Sequence, residues 1–156
     1  MEIVAAVLED YAKRGIFRGF SRGPTRAGKA VFKMLWHRDR NFELILDPAR
    51  NTLRFPVVLP QVPAASAMYA EFQQFVDSRF AADLPDHRRI DKSKVAIRCA
   101  NRKGDVSLTL TVLDGDYQYS TRKLVNLVHE VFLVFLFDGR YYDYLVETFD
   151  LDPDRL

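Results

Sequence analysis

The stretch VFKMLWHRDRNFELILDPARNTLRFPVV, Val31 to Val58, decides the fold. In its first part Phe32, Met34 and Trp36 alternate with Lys33 and His37. In its second, Phe42, Leu44 and Leu46 share a face, and in its third Leu53, Phe55 and Val57 do the same. A period of two is the mark of a half-buried strand, so residues 30–37, 42–47 and 52–58 are expected as strands. The connections RDRN and DPARN are short clusters of turn-forming residues, which favours an antiparallel meander.

That reading decides how the preceding GPTRAGKA, Gly23 to Ala30, is taken. It spells G-x-x-x-x-G-K, one residue short of a nucleotide-binding P-loop. The position that should carry a magnesium-binding hydroxyl is Ala30, and a strand rather than a helix is expected to follow. LILD, 44–47, imitates the acidic strand of such a site, but DPARN makes it one arm of a hairpin. A flexible glycine-rich loop entering a strand is the expectation, with no nucleotide and no cofactor.

Outward from the meander, Ile3, Val4, Val7, Leu8 and Tyr11 form one stripe of an N-terminal helix ending near Gly15. Beyond LPQVP, Pro63 is expected at the first turn of a second helix whose stripe is Met68, Tyr69, Phe72, Phe75, Val76 and Phe80. VAIRC and VSLTLTV, joined by NRKGD, read as a hairpin. After DGD a third helix is expected over Tyr119–Phe137 with Gly139 as its cap, and RYYDYLVETF reads as a short final helix. The expectation is one domain over residues 1–156, of α+β class. A five-stranded antiparallel sheet is ordered helix, three strands, helix, two strands, helix, with a short C-terminal helix.

At 156 residues the chain can bury roughly 70% of its unfolded surface in a core of its own. A single cysteine, Cys99, excludes an internal disulfide and a cysteine-rich zinc site, and its place on a strand with Val95 and Ile97 suits a core thiol. The longest apolar run, VFLVFLF, is too short for a bilayer, and no signal segment is read at the start. A cytoplasmic protein without a membrane partner is therefore expected. Between Lys13 and Arg40 nine Lys or Arg face one acid, Asp39, whereas six acids lie from Asp138 onward. Such opposed ends imply an anionic partner for the basic end, or a meeting of the two ends.

Two groups of residues stand out as candidate sites. RGIFRGFSRG interleaves Arg14, Arg18 and Arg22 with Phe17 and Phe20, and Arg26 and Lys29 continue it. Arginine for phosphate and aromatics for stacking is the chemistry of single-stranded nucleic-acid binding. On the third helix Arg122, Asn126, His129 and Glu130 lie on one polar stripe, and His87, Arg88 and Arg89 could meet them as an anion site. His129 and Glu130 begin like a zinc-protease helix, but the second histidine would fall at Leu133, so no metal pair is present.

The element order resembles the fold of type III secretion chaperones and their YbjN-like relatives. LPDHRRID (84–91) with YSTRKLVNLVHE (119–130) also resembles an uncharacterised bacterial family. The resemblance implies a small dimer that holds extended partner segments. The expected function is accordingly a non-enzymatic protein-binding or assembly module of chaperone-like type, acting as a homodimer. The alternative is a nucleic-acid or polyanion binder using the Arg-Gly stretch 14–29. Between Leu124 and Phe137 eleven of fourteen residues are apolar. A helix apolar on nearly all sides must be covered on nearly all sides, so this helix or its neighbouring strand edge is the expected dimer contact.

Overall fold

The meander over residues 30–58 is the centre of a larger sheet. The computed structural model describes residues 2–37 and 40–149. In chain order it has α1 (Glu2–Lys13), β1 (Gly19–Arg22), β2 (Ala30–Trp36), β3 (Arg40–Asp47), β4 (Thr52–Leu59) and α2 (Ala67–Ser78). There follow β5 (Val95–Arg102), β6 (Asp105–Val112), α3 (Tyr117–Glu130), a π-helical segment (Val131–Phe137) and α4 (Tyr142–Phe149). All strands pair antiparallel in the order β1-β2-β3-β4-β6-β5. The class is α+β, but the sheet has six strands and not five.

The sixth strand comes from the Arg-Gly stretch, expected as a loop. Arg26 and Lys29 exchange both backbone hydrogen bonds, at 3.0 and 2.8 Å, around Ala27 at φ 50° and Gly28 at φ 78°. Two positive φ angles in a two-residue connection make the hairpin turn whose twist suits antiparallel strands. β1 then runs back along β2 with Phe20 opposite Met34, and the Phe20 ring stacks on Phe32 at 6.1 Å. Phe17 is buried against Trp36 at 5.0 Å, so the phenylalanines of this stretch belong to the core.

The register sorts the two faces of the sheet. Leu46, Leu53, Leu110 and Ile97 form one cross-strand row on the core face. Beside it on the opposite face runs Ile45, Arg54, Thr109 and Arg98. The four helices contribute to a single hydrophobic core with the first face, through residues such as Leu8, Phe72, Leu124 and Leu145. The second face is left open, with Lys33, Arg54, Ala96, Arg98 and Ala100 exposed.

Two helix boundaries differ from expectation. Pro63 precedes α2 rather than opening it. Ser66 is the N-cap, accepting from the Tyr69 N–H at 3.1 Å, while its own hydroxyl donates to the Pro63 carbonyl at 2.6 Å. The expected single helix Tyr119–Phe137 starts earlier, capped by Asp116, and changes pitch at Val131. There the hydrogen bonds reach five residues back, as from Asp138 N–H to the Leu133 carbonyl at 3.1 Å. Gly139 follows because a Cβ there would lie 2.2 Å from the Phe135 carbonyl oxygen. The wider π turn buries Val131, Phe132, Phe135 and Leu136 within the one chain and leaves Leu133 46% exposed.

Candidate functional site

Helix α3 and the loop after α2 border a hollow of about 230 Å³ that mixes charged side chains with apolar ones. Its α3 wall is Lys123, Asn126, Leu127 and Glu130, spaced three and four apart so that one face presents them all. His129 closes one side, and Arg79, His87 and Arg88 come from the α2 end and the following loop. The loop is fastened by its backbone: Ile90 N–H donates to the Arg79 carbonyl at 2.9 Å, and Arg88 N–H to the Pro85 carbonyl at 2.9 Å. Lys123 Nζ donates to the His87 carbonyl at 3.1 Å and so ties α3 to it.

Of the polar residues expected to converge, His87, Arg88, Asn126, His129 and Glu130 line this cavity, and Arg122 and Arg89 do not. Arg122 faces α1, where its charge acts on the Tyr11 phenol. Arg89 turns outward to Asp86 at 2.5 Å and to the Ala82 carbonyl at 3.1 Å. Asn126 also accepts from the Tyr11 hydroxyl at 3.2 Å, which fixes its amide. Two contributors were not foreseen. Lys123 lies one and two turns before Asn126 and Glu130, so helical spacing alone would have found it. Arg79 meets Glu130 at 3.0 Å across 51 positions of sequence, and no local pattern links them.

The charge balance of the cavity is positive. The Arg79–Glu130 pair is only 15% and 16% exposed and is internally neutral. Arg88 and Lys123 have no carboxylate within ion-pair distance among the described residues. Burial lowers the Lys123 pKa, opposed by the nearby Glu130 charge. A desolvated ammonium without a paired acid is poised to gain from a carboxylate brought to it.

Against this cavity, sharing His129 and Leu133, lies an apolar groove of about 160 Å³. Phe132, Phe137, Leu145 and Phe149 complete its walls, with His37 at one end. Phe149 stands edge-on to Phe132 at 4.9 Å, so α4 is held against the π-helical segment by the rings that form the groove. His37 stacks on Phe132 at 3.8 Å, its Nε2 buried without a hydrogen-bond partner among the described residues. Burial, and secondarily His129, pushes its pKa down to about 3.

Arg14, Arg22, Arg26 and Lys29 of the Arg-Gly stretch have carboxylate partners within the chain. Arg14 pairs with Asp10, Arg22 with Glu2 at 2.8 Å, and Arg26 with Glu43 at 3.1 Å. Lys29 stands 4.0 Å from Asp47, and Arg18 sits beside β2, its N–H donating to the Leu35 carbonyl at 2.9 Å. The acids that answer them come from α1 and β3; of the acidic end, Asp150, Asp152 and Asp154 lie outside the described residues. Lys29 is followed by β2, so the sequence G-x-x-x-x-G-K here turns a hairpin instead of opening a helix.

Cys99 is half-buried, and burial followed by the Asp77 charge raises its thiol to about 12, far from a reactive thiolate. Among the described residues, no group of three or more His, Cys, Asp or Glu is arranged to hold a metal ion, and no helix is long and apolar enough to cross a membrane. Comparison of the chain with protein-family models, with curated proteins and with solved structures gives no match.

Proposed function

We propose that this chain is a non-enzymatic, chaperone-like binding module whose α3–α4 face receives a protein segment carrying an apolar side chain beside a carboxylate. One observation carries the reading: the apolar groove and the positive cavity are contiguous, with His129 and Leu133 common to both. An apolar anchor would fill the groove between Phe137 and Leu145. A neighbouring Asp or Glu would then meet Lys123 and Arg88. Burial of one Leu or Phe side chain contributes about 1.5–3 kcal/mol, and a charge-assisted hydrogen bond adds about 1.5–3 kcal/mol more. That suits a short segment held reversibly. Leu133, exposed on the ridge between the two hollows, is the contact such a segment would cover first.

Phage-displayed random peptides selected on the immobilised protein test this. The expected winners carry an apolar residue within a few positions of Asp or Glu, and lose binding to Leu133→Asp and to Lys123→Glu. Winners without that pairing, or winners indifferent to both substitutions, would overturn the reading. A homodimer belongs to the same proposal. Because its own chain covers most of the π-helical segment, the dimer is placed at the outer edge of β5, and the cavity and groove stay free in each copy.

A further inference from the structure

On the open face of the sheet, opposite the helices, lies a third hollow of about 280 Å³. Its floor is made of short side chains, Thr52, Thr109, Ser107 and Ala100, from the neighbouring strands β4, β6 and β5. Longer side chains rise around them: Lys29, Arg50, Arg54 and Arg98, with Asp47 the one acid of the lining. The register explains the arrangement. Arg54 and Arg98 both pair with Thr109, from opposite sides, so their Cα atoms stand two strand spacings, about 9.6 Å, apart on the same face.

Among the described residues these arginines, like Arg88, lack the carboxylate that six others have. Arg14, Arg22, Arg26, Arg79, Arg89 and Arg140 each pair with a carboxylate of this chain. The guanidinium groups of Arg50, Arg54 and Arg98 have no hydrogen bond or ion pair among the described residues. Asp47 is the acid within reach, and Lys29 stands 4.0 Å from it. Unpaired like charges held around a hydroxyl-lined hollow repel one another and lack only the anion. Guanidinium forks match phosphate oxygens two at a time, and threonine and serine hydroxyls can donate to the remainder.

We infer that the open sheet face binds a phosphate-bearing anion, with Arg54 and Arg98 clamping it from two strands over Thr109 and Arg50 closing the end of the hollow. The volume suits one or two phosphate groups. Ile45 in its lining and Val31 and Ala96 beside it are aliphatic, not aromatic, so the site grips phosphate and does not stack bases. It shares Lys29 with the Arg-Gly stretch but none of its arginines, shares no residue with the α3–α4 face, and stands or falls independently of the peptide-binding reading.

Titration calorimetry of the full chain with sodium pyrophosphate tests it, beside inorganic phosphate and a short oligothymidine. Pyrophosphate should bind saturably, with affinity falling as salt rises. Arg54→Ala and Arg98→Ala should each weaken it about tenfold or more. Arg102→Ala, on the same strand but outside the hollow, should leave it unchanged, and Asp47→Asn should tighten it. Stronger binding of oligothymidine than of pyrophosphate would assign the phosphate to a nucleic-acid backbone; the reverse would assign it to a small diphosphate. Heats no larger than those of sodium chloride at equal ionic strength, or binding untouched by Arg54→Ala and Arg98→Ala, would overturn the inference.

Discussion

His37 is the residue whose surroundings contradict its chemistry most sharply. Its backbone is left-handed at φ 50°, and its ring lies between Trp36 at 4.3 Å and Phe132 at 3.8 Å. With Nε2 unpartnered among the described residues and a pKa near 3 against an ordinary 6.5, it is held neutral in the fold. The sign of the consequence follows. As pH falls below about 6.5 the unfolded chain takes up the proton first, so the folded state loses stability down to about pH 3, by up to about 1.4 kcal/mol per pH unit. Carboxylates such as Asp116, whose pKa is lowered by the Tyr119 N–H and then by Lys94, lose their contribution only at lower pH. Urea unfolding from pH 7 to about pH 5 should therefore show this decline. His37→Asn, tolerant of the left-handed backbone, should flatten it while lowering stability at pH 7 through the lost stacking. A wild-type midpoint constant over that range would refute the assignment. Sequence placed His37 on a strand by alternation alone; only the fold shows that it turns into the core.

At the scale of elements, what was legible is what carries a strong period. β2, β3, β5 and β6 alternate in sequence, but β4 keeps its expected face only as far as Phe55. A register shift before Leu59 leaves Val57 exposed and Val58 buried, and of the expected α1 stripe Ile3 lies exposed. β1 was not legible because Gly-Phe-Ser-Arg has little strand propensity of its own and Ala-Gly is a weak turn signal. It forms because Phe20 packs on Phe32 and β2 offers an edge. The change of α3 to a π-helix left no trace either, since VFLVFLF is uniformly apolar and shows no period to disturb. The hidden turn makes a direct prediction. Ala27 holds a left-handed conformation that costs an alanine about 1–2 kcal/mol and an asparagine less. Ala27→Asn creates the Asn-Gly pair favoured in this turn, and should raise stability by about 0.5–1 kcal/mol in urea unfolding. A lowered midpoint would show that the turn is formed differently.

For the whole molecule, class and most of the element order followed from the meander and the second hairpin. The site was only half visible, because its walls come from residues such as Arg79 and Glu130 that helix and loop bring together. Assembly is where the fold most changes the argument. An apolar third helix called for a partner, but Phe132 and Phe135 are covered by α4, α2 and the strands of the same chain. Leu133 stays exposed beside the apolar groove, and the sheet edge is open as well. β1 is four residues long, whereas β5 offers eight residues with no strand beyond it among the described residues. Leu113 N–H donates to the Lys94 carbonyl at 2.8 Å, and ladder bonds alternate, so Ala96, Arg98 and Ala100 bond inward to β6. Ile97 and Cys99 then turn their N–H and carbonyl groups outward. Such an edge invites pairing, and a twofold copy of itself would close it. Light scattering at tens of micromolar is expected to give twice the 18.1 kDa chain mass. Cys99→Pro removes an outward donor without touching the β6 ladder, so it should return the 18.1 kDa mass with an unchanged circular dichroism spectrum. A wild-type mass of 18.1 kDa throughout would show that Arg98 and Arg102 keep the edge apart, as charged edge residues do in monomeric sheets.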